Sequence, residues 1–328
     1  GFSFKYGTTL PHLLVEQARE LGMDSLALTD RDGLSGAIRF TQSCIDNHIA
    51  PILGVDIECD NNTRMTLLAT PGSGWSSLVR IVTELKKYGA PCNLKFLQDN
   101  SHYTKNLLAL QGPDSDLGRA LTSRRYDKAL TIYNAARELF LDQAIECVSH
   151  LVYGDGPRST VHAARMLGFA RDHDLPAVLT NAARMRVRDD APVADVLDAT
   201  RHLLPLHKNI VERKNAEAFL KSSEEMEALA EKISSAAGER RWKKLLATTQ
   251  EWADRARLSP RDDIGIGSIH LPEPHVVGAR DHHELTTQLR NRALAGINWR
   301  YGHSRSDVHE RLEKNSPLSN IWDMSLIS

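Results

Sequence analysis

The chain has 328 residues, 41% hydrophobic and 25% charged, and a formal net charge of -1. That length suits one large domain with an appendage, or two domains. The charge balance excludes bulk attraction to a polyanion, so any nucleic-acid contact must come from a local basic patch.

The first half alternates short apolar runs with amphipathic segments, the pattern of βα units around a parallel sheet. Residues 10–21 carry Leu10, Leu13, Leu14, Ala18 and Leu21 at helical spacing. A strand is expected at 25–29, a helix at 34–47, and strands at 51–58 and 65–69. Gly72-Ser73-Gly74 opens a helix that runs through Leu85. Such a start could cradle an anion, though an N-cap turn is the simpler reading. Strands follow at 106–110, 144–148 and 177–180. Between them lie helical text over 117–141, broken near Arg125, and a helix over 160–173. No GxGxxG follows the first strand, which argues against a Rossmann sheet and for a (β/α) barrel.

After Asn181 the segments 191–203, 216–232 and 241–257 are polar amphipathic helices with no strand between them. Residues 263–274 are rich in Gly and Pro and read as a linker, followed by a helix over 281–301. The expected organisation is a barrel over 1–190, a helical extension over 191–262, and a linker with the start of a further region over 263–328. No apolar run approaches the roughly 18 residues of a membrane span. No basic-then-apolar leader is visible either, so the cytoplasm is expected and no membrane partner. Cys44, Cys59, Cys92 and Cys147 form no CxxC pair, as expected of reduced thiols in that compartment. Gly1 in place of Met, and the text after Lys314, read as a chain cut from a longer protein.

Several segments carry a resemblance when taken in order. They are Ala27-Leu28-Thr29-Asp30, Pro51-Ile52-Leu53-Gly54-Val55-Asp56, Ala144-Ile145-Glu146 with His150, Leu179-Thr180-Asn181, and His270-Leu271-Pro272-Glu273-Pro274. Over about 2–314 the chain resembles the N-terminal polymerase-and-histidinol-phosphatase (PHP) region of bacterial C-family DNA polymerases. These are the alpha subunit of DNA polymerase III and its error-prone relatives, the actinobacterial-type paralogues above all. The resemblance implies an α/β fold, a PHP-type distorted (β/α) barrel with a helical C-terminal extension. It also implies a place in DNA replication or translesion repair synthesis within a nucleotidyltransferase family. The polymerase body, other replication or translesion proteins, and single-stranded or primer-template DNA are the partners it implies.

Active PHP domains hold two or three metal ions on His and carboxylate ligands at strand ends, where the metals activate water for phosphoester hydrolysis. Carried over residue by residue, the ligands kept here are Asp30, Asp56 and His150, with Asp56 standing where the family usually has Glu. Arg31 stands where the family has His, and Ala182 and Arg184 replace an Asp and a His. The family's His-x-His would fall upstream of Gly1. A guanidinium offers no lone pair to a metal, and a catalytic zinc wants at least three protein ligands plus an open position.

The expectation is therefore a degenerate metal site with no catalytic residue and no metal cofactor. Arg31 and Arg184 would make salt bridges among Asp30, Asp32 and Asp56, or would contact a phosphate. The alternative is a metal-dependent phosphoesterase or 3′-5′ exonuclease that holds Zn or Mn by recruiting Asp32, Glu58 and His102. Weaker candidates are the basic run Glu239-Arg240-Arg241-Trp242-Lys243-Lys244 as a single-strand contact, and His270, His282 and His283 as surface residues.

Overall fold

The computed structural model describes residues 3, 6–89, 91–205, 213–267, 274–302 and 305–315. The chain falls into two compact units, Gly1–Gly267 and Ser268–Ser328. His270 through Glu273, the centre of the expected linker, lie outside the described residues.

The first unit is built on six strands hydrogen-bonded in chain order: β1 Ser25–Arg31, β2 Ala50–Cys59, β3 Thr63–Ala69, β4 Leu107–Gln111, β5 Asp142–Val148 and β6 Ala177–Thr180. Together they form a curled half-barrel sheet. β1 pairs in parallel with β2, and β4, β5 and β6 pair in parallel in turn. β3 departs from the expected parallel run, being antiparallel to both neighbours. Only Asp60–Asn62 separate it from β2, too few residues for the crossover that a parallel partner needs.

Alternation along the strands sorts the apolar side chains onto two faces. On the outer face, Leu53, Val55, Ile57, Leu107 and Ala109 pack with Phe40, Leu78 and Ile81. The latter come from α2 Ala37–Asp46 and α3 Gly74–Tyr88, which with α1 Pro11–Glu20 flank the first strands. The short helices α4 Leu94–Asp99 and α5 Ser101–Thr104, which periodicity did not reveal, lead into β4. Helices α6 Asp116–Thr122, α7 Tyr126–Ala136 and α8 Thr160–Asp172 cover Ile145, Cys147 and Leu179 in a second cluster.

On the inner face, Ile52, Leu68, Leu108, Leu110, Ala144 and Val178 meet Trp252 and Ala256. Those two belong to α11 Trp242–Ala256, which follows α9 Ala191–His202 and α10 Ser223–Ala236. α11 thus lies in the same compact unit as the sheet and fills its inner face. Its Thr249 hydroxyl accepts from the Leu179 amide at 2.8 Å, pairing a donor on the sheet's edge strand. Gly54 sits on this face because a Cβ there would lie 2.6 Å from the Leu67 carbonyl oxygen and 2.9 Å from Thr29. The expected helix at 216–232 begins only at Ser223. Ser222 and Glu225 form a reciprocal capping box, and Phe219 is held extended as a bridge partner of Met185.

In the second unit, Pro274–Val277 form a 3-10 turn, followed by α12 His282–Tyr301 and α13 Ser306–Asn315. Asp281 caps α12 by accepting from the Glu284 amide at 2.8 Å, and Arg290 pairs with Glu313.

Candidate functional site

Thr29 and Arg31 on β1, Asp56 on β2, Arg64 on β3 and Glu146 on β5 all stand at one end of the sheet. Strand direction puts them there, since β1, β2 and β5 end at this rim while antiparallel β3 starts from it. At the rim, Asp32 has a left-handed backbone with φ 52°, a conformation Asp tolerates better than most residues. That turn aims Asp32 Oδ1 at the Glu58 amide, which donates at 2.8 Å.

Arg64 organises the group. Its Nε donates to Asp56 Oδ2 at 2.8 Å and its Nη2 to Asp32 Oδ2 at 3.0 Å. Arg31 Nε lies 3.4 Å from the same Asp56 oxygen, a charge contact without hydrogen-bond alignment. Burial pushes the Asp56 carboxyl above its ordinary value, against the pull of Arg64 and Arg31. Asp30 is buried and accepts from the Ser3 amide at 3.2 Å and the Ser3 hydroxyl at 2.8 Å.

Arg184 is placed elsewhere than the sequence suggested. Instead of Asp30, Asp32 or Asp56 it grips Asp198 on α9 with two bonds, 3.0 and 2.6 Å. Asp198 is fully buried and also accepts from Arg201 at 2.8 Å. The two predicted arginines still share a partner, because the guanidiniums of Arg31 and Arg184 lie 3.5 and 4.2 Å from the centre of the Tyr6 ring. Such stacking suits the flat, weakly hydrated guanidinium.

His150 is buried, and its Nε2 lies 2.7 Å from the Asn181 carbonyl oxygen. A carbonyl can only accept, so Nε2 carries the proton and Nδ1 is the basic nitrogen. Burial pulls the imidazole down to about 4, which keeps it neutral. Glu146, quoted above only as part of a motif, is the other perturbed group. Burial pushes its carboxyl up to about 7, with Asp56 and Asp114 adding to the rise and the Thr180 hydrogen bond and Arg158 opposing it. Thr180 Oγ1 donates to Glu146 Oε1 at 2.6 Å. Gly112 makes room for the other oxygen, since a Cβ there would lie 2.3 Å from Oε2.

Asp30, Asp56 and His150 are not assembled as ligands. Among the described residues no three His, Cys, Asp or Glu side chains converge as a metal site requires. Each of the three is committed to a protein partner: Asp30 to Ser3, Asp56 to Arg64 and Arg31, His150 to a backbone carbonyl. This donor set does not fit a catalytic metal cluster. Of the residues available for recruitment, Asp32 is bound to Arg64 and Glu58 is exposed. His102 stacks on Tyr103 before the start of β4, at the opposite end of the sheet. Arg64, Asp198 and Tyr6 were missed because their partners are distant in sequence and match no motif. Only the alternation that puts Arg64 in line with Thr66 and Leu68 hints at its inward aim.

The PHP domain model matches residues 1–150. The error-prone DNA polymerase of Pseudomonas fluorescens is 27% identical over 206 residues, 62% of this chain and 19% of that protein. That of Symbiobacterium thermophilum is 29% identical over 253 residues, 69% of this chain and 22% of that protein. DNA polymerase III subunit alpha of Escherichia coli is 28% identical over 330 aligned positions, 95% of this chain and 26% of that protein. The chain therefore spans about a quarter or less of these relatives' length. Among solved structures, an amidohydrolase from Chromobacterium violaceum aligns with 54% of this chain and 83% of its own, at 13% identity and a TM-score of 0.36. No helix among the described residues is long and apolar enough to cross a membrane.

Proposed function

We propose that this chain is a metal-independent PHP domain that serves as a scaffold and contact surface for the body of a C-family polymerase. Its setting would be cytoplasmic DNA replication or translesion repair synthesis. The observation that carries this reading is the ion-pair lattice of Arg31, Arg64, Asp32 and Asp56 at the strand ends. Carboxylates at the ends of barrel strands are where catalytic metals sit, and here they are tied to guanidiniums. A dication among those arginines would meet repulsion of about 4 kcal/mol per unit-charge pair at 4 Å and an effective dielectric of 20, doubled for its charge. Partnership with polymerase or replication proteins rests on similarity to the error-prone and alpha-subunit polymerases. The test is hydrolysis of a 3′-labelled single strand with Mn or Zn added. No cleavage above a no-protein control is expected, and cleavage that rises with metal would overturn the reading.

A further inference from the structure

Two of the four cysteines face each other. Cys59 ends β2, and Cys92 follows the C-terminus of α3, where Gly89 takes the left-handed cap at φ 61°. The Cys92 amide donates to the Glu58 carbonyl at 2.8 Å, and the Asp60 amide donates to the Cys92 carbonyl at 3.1 Å. These two bonds make Cys59 and Cys92 direct partners across a parallel bridge. Strands so paired lie about 4.8 Å apart, inside the roughly 4.4–6.8 Å Cα separation that a disulfide spans. Both thiols turn toward the apolar cluster that holds Ile57, Val82, Leu85 and Leu97. Cys92 is fully buried, whereas Cys59 is half-buried. The facing Cys59 thiol and burial together push Cys92 up. Cys44 and Cys147 are buried.

A cavity of about 300 Å³ lies between the end of β2 and the C-terminal part of α3, lined by Glu58, Lys86 and Pro91 among others. Glu58 and Pro91 are the immediate chain neighbours of the two cysteines, which do not themselves line the cavity.

We propose that Cys59 and Cys92 are a redox-modified pair that closes to a disulfide by exchange with a small-molecule disulfide of the glutathione type. Cys59, the more exposed thiol, loses its proton and attacks one sulfur of the incoming disulfide. The S–S bond of that molecule breaks, a mixed disulfide forms on Cys59, and one small thiol leaves. Cys92 then loses its proton and attacks the Cys59 sulfur, releasing the second small thiol. The two protein thiols are oxidised by two electrons, the small disulfide is reduced to two thiols, and the two protons leave on those thiols. The bond clamps the α3–α4 connection to the rim end of β2. Glu58 lies between the pair and Asp32, so the clamp also braces the Arg64 lattice.

Incubating the 328-residue chain with oxidised glutathione at neutral pH, then alkylating and digesting without reductant, tests this. A peptide linked through Cys59 and Cys92 is expected, with Cys44 and Cys147 alkylated only after unfolding. The oxidised chain should melt at a higher temperature than the reduced one. Neither the link nor the higher melting temperature should appear in Cys92→Ser, or in Cys59→Ser, the half-buried position that keeps the test open if the first variant does not fold. A persistent glutathione adduct on Cys59 without the link, or a link that leaves the melting temperature unchanged, overturns the proposal.

Discussion

Replacing Glu146 by Gln should change how stability depends on pH, because the native carboxyl is kept protonated in a site it occupies at a cost. Its folded value is about 7 against an ordinary 4.5. At 1.36 kcal/mol per pKa unit, that difference corresponds to about 3 kcal/mol. The raised value fixes the sign. Below pH 4.5 both states hold the proton; from there to about 7 the unfolded chain releases it first, so stability falls as pH rises. His150 acts in the opposite sense, with a folded value of about 4 against an ordinary 6.5. Its contribution, also about 3 kcal/mol, is complete above pH 6.5 and is lost as pH falls toward 4. Between about pH 4.5 and 6.5 the two slopes therefore oppose each other and the native chain responds weakly. Glu146→Gln retains an acceptor for the Thr180 hydroxyl and removes one slope. The variant should equal or trail the native chain near pH 4.5 and exceed it by about 3 kcal/mol above pH 7. Urea unfolding midpoints followed by circular dichroism from pH 4 to 8 measure this. A constant offset between the two curves across that range would refute the assignment of Glu146 as the raised carboxyl.

Two further changes probe what holds the unit together. Arg184→Ala removes one of the two guanidiniums on the fully buried Asp198, and leaving such a charge short of partners costs about 3–5 kcal/mol; urea denaturation should show that loss, and a negligible change would mean that Arg201 alone compensates Asp198. Trp252→Ala empties the inner face of the sheet beside Ile52, Leu108 and Val178 and should cost about 3–5 kcal/mol. A loss below about 1 kcal/mol, the size of an ordinary substitution, would contradict the packing of α11 against the sheet.

Much of the fold could be read from local pattern. Apolar runs such as 51–58 and 144–148 are short and β-branched or aliphatic, and they lie almost where β2 and β5 run. The reversal at β3 escaped notice, because alternation reports which face a side chain takes and not which way its strand points. The place of α11 was also hidden. Its exposed face is charged enough to read as a polar extension, while the few residues it buries, Leu245, Trp252 and Ala256, decide where it packs. At the site, the substitution of Arg31 was visible, and its contact with Asp56 follows from adjacent strands in register, Arg31 opposite Asp56. Arg184 was also visible as a departure, but its partner Asp198 lies one helix further along, where no motif points. The pairing of Cys59 with Cys92 depends on a bridge between residues 33 positions apart, and composition says nothing of it.

Arginines hold the carboxylates of this rim where a metal cluster would need them free, and on this rests the metal-independent reading. Its most direct test is elemental analysis of the 328-residue chain purified without chelator, after equilibration with Zn, Mn or Fe and removal of unbound ions. Substoichiometric metal is predicted for all three. One or more ions retained per folded chain, and lost on replacing Asp56 by Asn, would contradict it.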